Sequence, residues 1–240
     1  MAIDSQEIVE DLGKLALLLN VFGVCTDINA LYTMQNEMRT IPADLLWCFD
    51  TDNCIVFQIP KMSHTRPEDI DDISISLTVK SQGSKDIEES KNHFLHLDMQ
   101  LVLTAYCLDA NCNEKTVKSA WHMDMDTNPD NDFVHPLFHI NFGGKELEEL
   151  ADTGEILLLR SPRLMHPPLD IFLAVDFVVQ NFFGRKHTIF QEFEYQRIMA
   201  KYRELHWKPY ILAFASNYYD FSAPPPLSIN KTFSQNILGN

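Results

Sequence analysis

The run from Phe94 to Cys107 constrains this chain more than any other segment. Leu95, Leu97, Met99, Leu101, Leu103, Ala105 and Cys107 occupy the odd positions, while His96, Asp98, Gln100 and Thr104 fall between them. Side chains alternate across an extended backbone, so a period of two sustained this long predicts a two-faced β-strand. A helix would scatter the same residues around its circumference. Such a strand needs neighbours on both sides and a layer to cover its apolar face, which excludes an all-helical fold.

The neighbours follow the same period. Cys54 to Ile59 reads as a short apolar strand, and Ile73, Ile75, Leu77 and Val79 alternate with Ser74, Ser76, Thr78 and Lys80. Residues 81–92 are polar and contain glycine, so they read as a loop. The turn from Asp109 to Asn113 predicts a hairpin into Val117, Ser119, Trp121, Met123 and Met125 on one face, with Lys118, His122 and Asp124 on the other. Phe133 to Phe142 continues the meander, with Val134, Phe138, Ile140 and Phe142 opposite His135, His139 and Asn141, and Gly143-Gly144 ends it. Glu155 to Leu159 is expected to be a last strand.

Helical spacing governs the flanks. Ile8, Leu12, Leu15, Ala16 and Leu19 follow a cap at Asp4 or Ser5 and stop at Gly23. A second helix from Thr26 or Asp27 and a short third near Thr40 and Pro42 complete residues 1–48. After the sheet, Pro167-Pro168 leads into an apolar helix ending at Gly184. Thr188 with Gln191 predicts a capped helix through about Leu205, and Pro209 begins another to Tyr219. The expectation is one α+β domain over 1–240: N-terminal helices (1–48), a central antiparallel sheet meander (54–160), C-terminal helices (167–219) and a Pro-containing tail (220–240).

Charge narrows the function. Asp and Glu number 34 against 19 Lys and Arg, a formal charge of −15, so a nucleic-acid partner is disfavoured by repulsion. The cysteines at 25, 48, 54, 107 and 112 are odd in number and form no C-x-x-C, so they read as reduced thiols. Acids near the start argue against a secretory leader. The most apolar stretch, Ile171 to Phe183, is interrupted by Asp176 and Gln180 and is too short to cross a bilayer. A cytoplasmic location without a membrane partner is expected.

If the strands pair with their apolar sides on the helices, His96, Asp98, His122, Asp124, His135, His139 and Asn141 share the opposite face. Imidazoles beside carboxylates suit an acid–base pair or a metal, with His122, Asp124 and His139 the metal candidates. The spacing identifies no metalloprotein family: His135-x3-His139 lies on a strand, with no Glu after its first His. Asp124-x-Asp126-x-Asn128 has the alternation of a calcium loop, but Pro129 replaces its glycine and His135 its glutamate. Gly143-Gly144-Lys145 is followed by Glu146, unlike a phosphate-binding loop, and no nucleophile elbow is present. Arg160, Arg163 and His166 lie among prolines before the apolar helix, where cationic side chains and a helix N-terminus favour an anion. A carboxylate of the chain itself, for instance Asp170, is the expected partner, with an external anion as the alternative.

One segment carries a resemblance. His135-Pro136-x-x-His139-x-x-Phe142-Gly143-Gly144, then Ser161-Pro162-Arg163-Leu164-x-His166-Pro167-Pro168, then Asn181-Phe182-Phe183, resembles uncharacterised bacterial proteins of mobile and defence-related gene clusters. It covers residues 133–184 and implies a bacterial accessory protein. The order of elements is also similar to ubiquitin-conjugating-enzyme-like folds. No cysteine follows His135, so this second resemblance implies a non-catalytic relative that binds partners. The function expected is therefore a non-catalytic accessory subunit acting through contacts with another protein or with itself, without a cofactor. The alternative is a metal-dependent hydrolase built on His96, His122, Asp124, His135 and His139 with a divalent ion.

Overall fold

The computed structural model describes residues 4–218 apart from 64, 71, 86–92, 110, 128–135, 144–146, 148–162 and 185. It is an α+β protein with helices before and after an eight-stranded antiparallel sheet. Helix α1 (Ser5–Val21) opens on Asp4, whose carboxylate accepts the Glu7 N–H at 2.8 Å, and Gly23 in the left-handed region closes it. Strand β1 (Cys25–Asp27) and helix α2 (Asn29–Glu37) follow, then a 3₁₀ turn (Met38–Thr40) and β2 (Leu45–Phe49). The sheet continues with β3 (Ile55–Pro60), β4 (Asp72–Ser84), β5 (Phe94–Leu108), β6 (Glu114–Met125), β7 (Phe138–Phe142) and β8 (Leu164–Met165). Helix α3 (Ile171–Phe182), a 3₁₀ turn (Thr188–Gln191), α4 (Phe193–Tyr202), a π turn (Arg203–Trp207) and α5 (Lys208–Tyr218) complete it.

The strands run in the order β1-β3-β4-β5-β6-β7-β8, with β2 paired to the far end of β4. Strand β4 is long enough to hold two partners on one side: β3 pairs with Asp72 to Leu77, and β2 with Ser81 to Ser84. Leu12, Leu15 and Leu19 of α1, Ile75, Leu77, Met99 and Leu101 of the sheet, and Phe172, Val175 and Val179 of α3 belong to one continuous core. Asp4, Gly184 and the strand periods thus place the layers as the residue pattern predicts.

Several expectations need correction. The first 48 residues are not all helix, because Cys25–Asp27 and Leu45–Phe49 are strands. Leu45-Leu46-Trp47-Cys48-Phe49 is a short apolar run that periodicity cannot distinguish from buried helix. Ser81 to Ser84 belong to β4 and not to a loop. Gly83 is required there, since a Cβ on it would lie 2.3 Å from the Trp47 indole across the pair. Leu95 is 54% exposed and not inward, because a register shift at Gln82/Gly83 pairs His96 with Gln82 but Phe94 with Gly83, turning Phe94 to the core. The helix predicted from Thr188 begins at Phe193, and the one predicted at Pro209 is α5, which starts at Lys208 and is joined to α4 through the π turn. A proline ring in regular α geometry would collide with the Leu205 carbonyl, and the wider turn relieves this. Glu155 to Leu159 lies outside the described residues, as does the tail from 219.

Candidate functional site

Strand pairing assembles the polar face from residues far apart in sequence. Asp98 on β5 is opposite Asp124 on β6, which is opposite His139 on β7, which is opposite Met165 on β8. In the adjoining row Gln100, His122 and Asn141 stand side by side. Paired residues project to the same face of a sheet, so these two rows form one patch.

Asp124 is its hub. The His139 Nε2 lies 2.7 Å from Asp124 Oδ1, and the His122 Nε2 lies 3.4 Å from Asp124 Oδ2 and 3.6 Å from Asp98 Oδ1. The other ring nitrogen of His139 donates to the Pro136 carbonyl at 3.1 Å, which orients the imidazole toward the carboxylate. His139 is only 2% exposed, whereas the side chains of Asp98, His122 and Asp124 are 33, 30 and 34% exposed. The face is thus not simply solvated. Burial works to raise the Asp124 pKa, but the contacts from His122 and His139 overcome it and hold the carboxyl well below its ordinary range. The contact with Asp124 raises the His122 pKa, with both carboxylate charges adding, against burial and the nearby charge of Arg163.

The remaining predicted residues are placed differently. His96 is opposite Gln82, a row beyond Asp98, and is exposed. His135 and Arg160 lie outside the described residues. Arg163 immediately precedes β8, on the side of the sheet patch. The His166 Nδ1 lies 2.7 Å from the Pro167 carbonyl, and burial pushes its pKa down. Asp170, the internal anion expected for the arginines, instead caps α3 by accepting the Leu173 N–H at 2.9 Å and takes the His206 Nε2 at 3.0 Å. That helix N-terminus is filled by the chain's own carboxylate.

The metal candidates do not converge. Two ligands of one zinc ion are roughly 3.3 Å apart at ordinary bond lengths, whereas His139 and Asp124 meet at 2.7 Å, a direct hydrogen-bonding distance. Among the described residues, no three His, Cys, Asp or Glu side chains are arranged to share a cation.

Two further polar centres were not legible in the sequence. His206 and His93, both buried, meet edge-on at 6.1 Å between Trp47 and Phe94, and burial with the neighbouring His206 pushes the His93 pKa down to about 4. Between α1 and α4, buried Asp11 pairs with Arg197 at 2.7 Å and Lys201 at 2.5 Å. Helical spacing of charged residues on α4 is the only signal for the latter, and nothing local marks the former. At the π turn, Arg203, Trp207, Ile211 and Leu212 border a shallow cleft of about 340 Å³.

Compared with protein-family models, with curated proteins and with solved structures, the chain matches none. No helix among the described residues is long and apolar enough to cross a membrane.

Proposed function

We propose that this chain is a non-catalytic accessory subunit that holds another protein on the polar face of its sheet. The reading is supported above all by one observation: the face presents a half-exposed histidine–carboxylate patch centred on Asp124, and it ends in an exposed apolar residue, Met165. Asp124 is occupied by His139 and approached by His122, so none of the three is arranged as an activated nucleophile or a metal ligand set. Next to them on the same face, β8 leaves Met165, opposite His139, 41% exposed. A polar centre with an exposed apolar margin suits recognition of a protein surface. Burial drives the Cys25 pKa far up, which makes that thiol a poor nucleophile. A bacterial, defence-related setting rests on the resemblance of residues 133–184 alone. The metal-hydrolase reading has no supporting geometry among His122, Asp124 and His139.

Co-expression with the products of adjacent genes, followed by size-exclusion chromatography, tests the proposal. A complex is expected that survives Tyr32→Ala on α2 but is lost in Met165→Asp. A strictly monomeric protein that captures none of these products would refute it.

A further inference from the structure

The C-terminal helical arm closes on the sheet over two histidines. His206, in the π turn, is 4% exposed, and its ring centroid lies 4.7 Å from that of Phe94 and 5.3 Å from that of Trp47. His93, immediately before β5, is 9% exposed and meets Trp47 at 6.5 Å and His206 at 6.1 Å. The chamber is therefore walled by β2, the start of β5 and the π turn, and aromatic carbon faces each imidazole.

One proton can be balanced there, but not two. Asp170 reaches the His206 Nε2 from the N-cap of α3 and is the only anion to meet either ring among the described residues. From α4, Tyr202 lies 6.2 Å from His206, and burial holds the pKa of its hydroxyl well above the usual range. From α5, Tyr210 approaches through Phe138, and burial raises its pKa to about 12. The Trp47 indole N–H of β2 is directed to the Ser81 Oγ at 3.2 Å. The charges that reach His93 are those of His206 and the amino terminus, both positive. Like charges this close in a buried site repel, so a proton on His93 is uncompensated until water reaches the ring.

The two sides of the chamber differ in how firmly they are held. Trp47 and Phe94 belong to strands paired with β4. The arm leaves Ile211 and Leu212 53 and 56% exposed and joins α4 through a π turn, so it is the side that yields first.

We infer that His93 and His206 form an acid-operated latch, in which protonation of His93 releases the π turn and α5 from the sheet while the sheet itself stays folded. His93 titrates at about 4 in the closed chamber and at 6.5 once released, so the arm is held above pH 6.5 and loosens as pH falls toward 4. The opening constant should rise about tenfold by about pH 5.5 and about thirtyfold by about pH 5.

Hydrogen exchange of the full chain, followed by mass spectrometry and divided by the intrinsic rate at each pH, reads this opening. Peptides within 203–212 should open about thirtyfold more at about pH 5 than at about pH 7.5, while those within 97–107 of β5 stay unchanged. His93→Phe, which keeps an aromatic ring without a titrating nitrogen, should remove the dependence, and His122→Gln on the sheet face should preserve it. In the unaltered chain the His93 ring signals in NMR should titrate in step with the exchange, so the latch stays testable if His93→Phe does not fold. Equal acceleration of β5 and the arm overturns the inference, because the chain then unfolds as a whole. An arm whose exchange is independent of pH also overturns it, as does acceleration that persists in His93→Phe. The latch does not depend on what the sheet face binds, so loss of either reading leaves the other intact.

Discussion

Two histidine–carboxylate pairs of similar length serve different ends in this molecule. In the core, His206 meets Asp170 at 3.0 Å, and the second Asp170 oxygen caps α3. Every oxygen of that carboxylate has a donor, and the pair ties the π turn to the start of α3. On the sheet, His139 meets Asp124 at 2.7 Å, but His122 approaches loosely, and the Asp98 and Asn141 oxygens nearby have no donor. In the first arrangement both carboxylate oxygens are engaged within the core, although the His206 Nδ1 has no partner of its own. The second is looser and half-exposed, with the His122 Nε2 standing between two carboxylates and bonded closely to neither.

The largest test of this contrast breaks the sheet that creates the patch. Leu101 is fully buried on β5 and Gln100 beside it is exposed on the polar face. Leu101→Asp buries an unpaired carboxylate and should cost several kcal/mol, roughly 3–5, while Gln100→Asp should cost well under about 1 kcal/mol. Urea unfolding of the two variants reads the difference, and equal destabilisation would remove the shared polar face.

A smaller effect compares the two carboxylates directly. Asp170→Ala removes a helix cap and leaves a buried histidine without its acceptor, so a loss of about 2–3 kcal/mol is expected. Asp98→Ala removes an oxygen that has no donor and should be neutral within about 0.5 kcal/mol. Thermal unfolding checks both, and an equal loss at the two sites would dissolve the distinction between the core carboxylate and the sheet-face carboxylate.

A last test sharpens the comparison through pH, because His93 in the core and His122 on the sheet respond with opposite signs. His93, in the core beside His206, has its folded pKa pushed down to about 4 from an ordinary 6.5, so the unfolded chain takes up the proton first. Its neutral burial favours the fold above about 6.5 and loses that advantage as pH falls toward 4, by about 2–3 kcal/mol. His122 is raised, so its contribution is present below about 6.5 and disappears as pH rises through its folded value. Asp124 is lowered, so its contribution is present above about 4 and fades as acid protonates it. Denaturant titrations at pH 4.5, 6 and 8 (all about these values) should show His93→Phe flattening the acid side and His122→Gln flattening the alkaline side. Both substitutions acting on the same limb would contradict the assigned environments.

How far the residues alone revealed this depends on how local each cause is. The period of two through β4, β5 and β6 is a property of neighbouring residues, so the faces of these strands, and the company of Asp98, His122, Asp124, His139 and Asn141, were readable in advance. Leu95 was misplaced because the register shift that turns Phe94 inward arises from pairing with β4, where Trp47 occupies the space over Gly83. Leu45 to Phe49 was misread because a short apolar run has no periodicity to distinguish strand from helix.

The amino-acid sequence by itself determined the two-faced strands, the helix caps at Asp4 and Gly184, and the acidic surface, because each follows from side-chain alternation, a local hydrogen bond or a sum of charges. Only the tertiary structure decided that Asp170 caps α3 and serves His206, that His139 is buried against Asp124, and that His122 stands between Asp98 and Asp124. Those outcomes depend on which side chains meet across strands and layers, a property of distances that no local pattern encodes.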